Sequence, residues 1–242
     1  MGRFAAALIV MENMGGAMAK DLAGAALLFD LDGTLVDTVD DLGAAMNQAL
    51  TAAQLAPVPA GDVRHLVGHG ARRMLMRGFQ LSAGRDASVD EVDRGLGVFL
   101  DYYEDHIAVH SRPFDSVIDM IERFRARGAK IAICTNKREA LARQLIEALG
   151  VAPLFETIVG ADTTIAAKPD PAPVLLCLER LEARRAVFIG DSDTDIRAAA
   201  AAHLPSYIAE FGYGPITLAA EATALFAHYR EVEKLIENAL AI

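Results

Sequence analysis

The sequence has little of what would place it in several common protein classes. Its 242 residues include two cysteines, Cys134 and Cys177, and neither belongs to a CxxC pair, which argues against a structural zinc or a redox motif. No apolar run reaches the length of a transmembrane helix. The formal net charge of −10 argues against a surface for nucleic acid or anionic membranes. We therefore expect a protein of a reducing compartment, the cytoplasm, that binds neither nucleic acid nor membranes.

The length allows one large domain, or a domain that carries an inserted module. With 53% hydrophobic residues the chain buries a sizeable core, which excludes disorder of the whole chain. Residues 1–21 only weakly imitate a signal peptide, because one positive side chain precedes a short apolar run. We interpret them as a disordered N-terminal extension, with Met14 or Met18 as alternative starts.

Short apolar runs alternate with helical segments over most of the chain. The predicted strands cover residues 25–29, 130–135, 157–160, 186–191 and 206–209. Residues 218–241 are predicted to be mostly helical. Near-continuous apolar strands that alternate with helices indicate an α/β fold, a Rossmann-like parallel sheet with helices on both faces.

Residues 38–112 interrupt this alternation. Residues 38–110 have helical spacing of their apolar side chains and no strand signal. We therefore predict an inserted all-helical cap over residues 38–112, and a core made of residues 22–37 plus 113–242. Asp37, Asp40 and Asp41 are expected to cap the first helix of that insertion.

The string Asp30-Leu31-Asp32-Gly33 closes the first predicted strand. Two carboxylates two positions apart point to the same side of a strand, and ionised neighbours at a buried strand end are costly without a cation. A hard divalent metal, Mg²⁺, suits their oxygen atoms.

Further polar residues follow the other predicted strands. They are Thr135 and Asn136, then Lys168, and then Asp191 and Asp195. Ligands in open parallel sheets bind outside the carboxyl ends of the strands, so we expect these side chains to form one site.

In order, these clusters resemble the four motifs of the haloacid dehalogenase-like hydrolases: DxDGT, a Ser or Thr, a Lys, and GDxxxD. The resemblance implies that Asp30 is the nucleophile that forms an aspartyl-phosphate, and that Asp32 is the general acid and base. It also implies that Lys168 and Thr135 contact the phosphoryl group, and that Gly33 and Asn136 complete the cradle for its oxygens.

The same resemblance implies a set of Mg²⁺ ligands. They are Asp30, the backbone carbonyl of Asp32, Asp191, and Asp195 directly or through water.

The resemblance narrows to one group within this family, the bacterial phosphoglycolate phosphatases. The chain resembles them in the predicted cap, at residues 63–72 and 110–113, and in the core, at residues 135–137 and 168–171. These enzymes convert 2-phosphoglycolate to glycolate. Gly70 and Arg72 open a predicted cap helix, and backbone amides with a guanidinium suit a small anion such as a carboxylate.

Three other functions stay open from the sequence. They are a β-phosphoglucomutase-like mutase, a broader sugar-phosphate or nucleotide phosphatase, and a phosphate-binding pseudoenzyme. Phosphonate hydrolysis through a cap lysine is excluded, because residues 38–110 contain no lysine. The sequence leaves monomer and homodimer equally open.

Overall fold

The structure is a computed structural model, and it describes residues 21–68, 70–214 and 216–240. Of the predicted N-terminal extension only Asp21 lies within the described residues, so the prediction of disorder lies outside them. The strands in the described part are β1 Ala25–Phe29, β2 Val36–Asp37, β3 Arg112–Pro113, β4 Lys130–Cys134, β5 Thr157–Val159, β6 Arg185–Gly190, β7 Ser206–Ala209 and β8 Ala224–Phe226.

The α-helices lie between these strands. They are α1 Val39–Ala52, α2 Ala60–Val63, α3 Ala71–Ala83, α4 Val89–Asp105, α5 Val117–Ala126, α6 Glu139–Ala148, α7 Ala172–Leu181, α8 Asp193–Ala201 and α9 Tyr229–Leu240. Short 3₁₀ turns cover Arg64–Leu66, Ala152–Leu154 and Ala219–Glu221.

Six strands form one sheet in the order β5-β4-β1-β6-β7-β8, and every neighbouring pair is parallel. In the register, Phe29 at the end of β1 lies opposite Ile133 of β4 and Ile189 of β6. The residues that follow these three strands therefore emerge at the same edge of the sheet. The predicted α/β class and parallel sheet are confirmed.

Helices cover both faces of this sheet because its strands are apolar on both sides. Leu27 and Phe29 of β1 belong to the larger hydrophobic core, which includes side chains of α5, α6 and α9. Ala26 and Leu28 point the other way, into a smaller cluster with α7 and α8. Such two-sided burial explains the unbroken apolar runs in the sequence.

The helices α1 to α4, here called the helical insertion (residues 39–105), lie between β2 and β3 in the chain. Helix α1 packs on α3 and α4, and α3 packs on α4. Strands β2 and β3 pair antiparallel at its base, with Val36 opposite Pro113. The predicted helical character is confirmed for the described residues of this segment, and its standing as a separate cap domain with the boundaries given above stays a prediction.

The expected helix over residues 218–241 is wrong in its first half. Residues 224–226 form β8, which pairs with β7 so that Phe226 lies opposite Ala209, and α9 begins only at Tyr229. The short apolar segment becomes a strand because a sheet edge accepts its backbone, and helical periodicity does not report that pairing.

The acids expected to cap α1 include Asp40 and Asp41 in its first turn, where they complement the helix dipole, but none of them provides a side-chain capping bond. Thr38 occupies the N-cap position, without a side-chain capping bond. The buried carboxylate of Asp41 instead accepts hydrogen bonds from the backbone amides of His110 and Ser111 and from the Ser111 hydroxyl, at 2.7–3.1 Å. Asp41 thus fastens α1 to the segment that returns to the sheet.

Candidate active site

The turn after β1 places the two acids of the first motif. Gly33 has a φ of +87°, a left-handed conformation that favours glycine, and its amide donates to the Val36 carbonyl at 3.0 Å. This closure lets Asp30 and Asp32 face one cavity at the carboxyl edge of the sheet. The amide of Gly33 is therefore used within the turn, and its predicted contact with substrate stays a prediction.

Three buried carboxylates meet at this edge. Asp30 follows β1, and Asp191 and Asp195 follow β6, and each offers an oxygen within 4.8 Å of the others. All three side chains are buried. The structure thus brings together the three side chains that were predicted to hold the metal.

One buried lysine lies against this cluster. The Lys168 Nζ is 3.0 Å from Asp30 Oδ1 and 2.7 Å from Asp195 Oδ1. Burial alone would lower the pKa of Lys168, but the charges of Asp195 and Asp30 outweigh it and raise the pKa above its usual range. In the part of the chain that the structure describes, the ammonium of Lys168 accompanies three carboxylates, so the cluster keeps an excess of acidic groups.

The excess of buried acidic groups is reflected in raised pKa values of Asp30 and Asp191. Burial raises the pKa of Asp30 to about 6, although the charge of Lys168 opposes the shift. Burial, followed by the charges of Asp195 and Asp30, raises the pKa of Asp191 well above its ordinary value. The buried Asp30 Oδ1 faces the Lys168 ammonium at 3.0 Å. Three buried carboxylates beside that ammonium, two of them with raised pKa values, fit a hard divalent cation.

Asp191 and Asp195 are held differently. The Asp191 Oδ2 accepts the Tyr213 amide at 2.9 Å, and its Oδ1 accepts the Thr34 hydroxyl at 3.3 Å. Asp195 Oδ2 accepts the amides of Asp191 and Ser192 and the Ser192 hydroxyl, in a capping box that starts α8. Because Asp195 is bonded at both oxygens, its arrangement favours the positioning of Lys168 and α8 over direct metal ligation.

Asp32 lies apart from this cluster. Its Oδ1 accepts the Thr38 hydroxyl at 2.7 Å, and Lys137 Nζ lies 2.6 Å from Oδ1 and 2.8 Å from Oδ2. Lys137 is itself 8% exposed. The sequence analysis assigned Lys137 no role, although the residue follows the strand-end Thr135 by two positions and lies in the matched stretch 135–137.

The other predicted residues line the same cavity of about 420 Å³ between the sheet and the helical insertion. Thr135 is buried at the end of β4, and its Oγ1 accepts the Lys137 amide at 3.2 Å. The Asn136 side-chain amide donates to the Lys168 carbonyl at 3.0 Å. Asn136 therefore braces the Lys168 loop, and its predicted contact with phosphate stays a prediction.

Gly70 and Arg72 reach this cavity from the insertion, as the sequence predicts. Gly70 is the N-cap residue of α3, with a φ of +83°. The Arg72 guanidinium forms an ion pair with Asp93 of α4, and both side chains are about half exposed. Arg72 thus borders the cavity with its charge already paired, and a contact with substrate stays a prediction.

A further contact, which no sequence motif indicates, joins the insertion to the sheet. Arg64 donates to the carbonyls of Phe211 and Gly212, and its guanidinium lies 5.2 Å from the centre of the Tyr213 ring. The Tyr213 hydroxyl donates to Asp37 Oδ1 at 2.7 Å and accepts the Thr38 amide at 2.5 Å. The loop that holds Asp191 is therefore also in contact with the start of the insertion.

Residues 25–203 match the family model of the haloacid dehalogenase-like hydrolases. The chain belongs to this family. The chain is 45% identical to a phosphoglycolate phosphatase of Mesorhizobium japonicum over 189 residues, covering 77% of this chain and 83% of the relative. It is 42% identical over 195 residues to a phosphoglycolate phosphatase of Caulobacter vibrioides, covering 80% and 82%.

Solved structures of this family have the same fold. The crystal structure of a predicted phosphoglycolate phosphatase from Haemophilus somnus superposes with a TM-score of 0.79 at 27% identity, covering 87% of this chain and 96% of that one. The resemblance stated from the sequence motifs is confirmed by these comparisons. Among the described residues of this hydrolase, no helix combines the length and apolar composition needed to cross a membrane.

Proposed function

We propose that this enzyme, a phosphoric monoester hydrolase, uses Mg²⁺ to convert 2-phosphoglycolate to glycolate and inorganic phosphate. The observation that carries the proposal is the buried cluster of Asp30, Asp191 and Asp195, which lies at the cavity that Asp30 and Asp32 both line. A nucleophile and a proton carrier at one cavity are what a phosphomonoesterase with a covalent intermediate needs.

In the first step an Asp30 oxygen attacks phosphorus, the bond from phosphorus to the ester oxygen breaks, and Asp32 donates a proton to that oxygen. In the second step Asp32 takes a proton from water, whose oxygen attacks phosphorus and releases Asp30 and phosphate. Lys168 holds Asp30 and faces the phosphoryl oxygens, and the Thr135 hydroxyl is placed to donate to one of them. Asp30, Asp191 and the backbone carbonyl of Asp32 would hold Mg²⁺, which would neutralise negative charge on the phosphoryl group.

The substrate is supported by the named relatives and by the charge of the cavity. Relatives at 45% and 42% identity bear the name phosphoglycolate phosphatase. The buried Lys137 and Lys168 line the cavity of an otherwise acidic protein, which suits a small substrate with more than one anionic group. Further proposals, carried from the sequence alone, are that the helical insertion acts as a cap and that the enzyme is cytoplasmic, as a monomer or homodimer.

Phosphate release from a panel of small esters tests the proposal. With Mg²⁺ present, we expect 2-phosphoglycolate to be hydrolysed with the highest kcat/KM, and Asp30→Asn to abolish turnover. Equal rates for sugar phosphates and nucleotides would contradict 2-phosphoglycolate as the preferred substrate but would be compatible with the proposed mechanism. Isomerisation of a hexose 1-phosphate without phosphate release would instead establish the mutase, and binding without any turnover would establish a pseudoenzyme.

A further inference from the structure

Lys137 and Tyr103 form an unusual pair at the boundary between the sheet and the helical insertion. Lys137 follows β4, Tyr103 belongs to α4, and the ammonium lies 4.8 Å from the centre of the Tyr103 ring. Both residues are buried, and both line the cavity that contains Asp30 and Asp32. Two elements that are distant in sequence thus bring a cation and a hydroxyl to one wall of the cavity.

Both groups have hydrogen-bonding capacity that the protein does not use. The Tyr103 hydroxyl is buried, its oxygen faces the Lys137 ammonium, and no acceptor for its hydrogen lies among the described residues. The Lys137 ammonium has three hydrogens, and the Asp32 carboxylate and the Tyr103 oxygen are its polar neighbours among the described residues. Since a buried, unpaired donor costs about 1–3 kcal/mol, such donors in a cavity wall call for an explanation.

The position of these donors matches the shape of the proposed substrate. In 2-phosphoglycolate the carboxylate carbon is two bonds from the ester oxygen that receives the proton of Asp32. Lys137 Nζ is within 2.8 Å of both oxygens of Asp32, so a carboxylate attached to that ester oxygen comes within its reach. The Thr38 hydroxyl also holds Asp32, which leaves the ammonium free to contact a second anion.

We propose that Lys137 and Tyr103 form the subsite for the substrate carboxylate and so set the preference of the enzyme for acidic phosphate esters. The ammonium and the hydroxyl donate to the carboxylate next to the leaving oxygen, and Lys137 contacts substrate and Asp32 together. This inference rests on the proposed function and assigns the carboxylate to a lysine and a tyrosine to which the four motifs give no role. It also differs from the anion site predicted at Gly70 and Arg72, whose guanidinium is paired with Asp93.

The test compares 2-phosphoglycolate with 2-hydroxyethyl phosphate, in which a neutral hydroxymethyl group replaces the carboxylate. We expect Lys137→Met to lower the ratio of the two kcat/KM values by about ten- to a hundredfold, the effect of one hydrogen bond to a charged group. Tyr103→Phe keeps the ring, and we expect it to lower the same ratio several-fold. Arg138→Met removes an exposed neighbouring cation of the same cavity and is the matched control, with an unchanged ratio.

Equal losses for both esters in Lys137→Met would overturn the subsite, because Lys137 would then act only on Asp32. An unchanged ratio in Tyr103→Phe would remove Tyr103 from it, and the melting temperature of that variant shows whether the fold is intact. If the wild-type enzyme hydrolyses 3-phosphoglycerate in preference to glycerol phosphate and does not prefer 2-phosphoglycolate, the proposed substrate is wrong. The ratio for that second pair of esters then tests the role of Lys137 in the same way. No preference for any acidic ester over its neutral counterpart would refute the subsite.

Discussion

Asp30 is an energetically costly residue of the folded chain when no cation is bound. It is buried beside Asp191 and Asp195, and burial raises its pKa from 3.8 to about 6. A carboxyl group with a raised pKa binds its proton more tightly in the folded state. Its contribution to stability is therefore complete below the unfolded pKa and is lost as the pH rises through the folded one.

Asp30→Asn removes this penalty. For the metal-free protein we expect the free energy of unfolding to increase by roughly 2 kcal/mol at pH 7.5, with no difference near pH 4, where wild-type Asp30 is protonated. Urea unfolding in the presence of a chelator at both pH values measures the effect. A variant less stable than wild type at pH 7.5 would contradict this account of the site.

Gly33 is required by its backbone conformation and by its neighbours. At a φ of +87°, an added Cβ would lie 2.9 Å from the Tyr213 ring and would also collide with Asp191 Oδ2. We expect Gly33→Ala to cost about 2–4 kcal/mol of stability and most of the activity. Gly214→Ala is the control, because an added Cβ there meets no atom within 4 Å. Similar losses in the two variants, measured by urea unfolding and phosphate release, would argue against this explanation.

Residues in local motifs could be predicted from the sequence, and residues that meet across the fold could not. Asp30, Asp32, Lys168 and Asp191 all follow apolar strands, so a strand prediction places them at one edge. Lys137 is different, because its partner Tyr103 comes from a helix of the insertion. No local pattern reports that contact.

At the scale of elements, one buried carboxylate is among the contacts that attach the helical insertion. Asp41 of α1 binds the backbone of His110 and Ser111, just before β3. We expect Asp41→Ala to lower the free energy of unfolding by about 2–4 kcal/mol, because the buried amides lose their acceptor. The exposed neighbour Asp40 is the control, and Asp40→Ala should change it by less than about 1 kcal/mol. Equal effects of the two substitutions in urea unfolding would show that both act only on the helix dipole.

The accuracy with which each element was predicted depends on how far that element needs partners distant in sequence. Strands β1 and β7 were predicted closely because their apolar patterns are local. Strand β8 was missed because its three residues become a strand only by pairing with β7. Strands β2 and β3 were missed for the same reason, since each has two residues and exists through the other.

At the scale of the whole molecule, the acid-rich cluster makes metal binding a source of stability. A ligand that binds only the folded state stabilises it by mass action, and protons compete for the same oxygens. We expect saturating Mg²⁺ to raise the melting temperature by several degrees at pH 7.5 and by less at pH 5, below the pKa of Asp30 of about 6.

Differential scanning fluorimetry at the two pH values tests the metal site. Asp191→Asn is the matched variant, and we expect it to lose most of the response to Mg²⁺ at pH 7.5 while its fold persists. A response that is equal at both pH values, or unchanged in the variant, would place the cation elsewhere on this acidic protein.

The buried acids around Asp30 also bear on laboratory evolution. A library of variants screened only for yield of folded protein, without metal, would favour neutral residues at positions 30 and 191, since each removes a buried charge. Such a screen would enrich inactive variants and report them as improved. Aspartate would be retained at these two positions only when turnover itself is selected. Comparing the two selections therefore identifies residues that catalysis requires although they destabilise the folded protein.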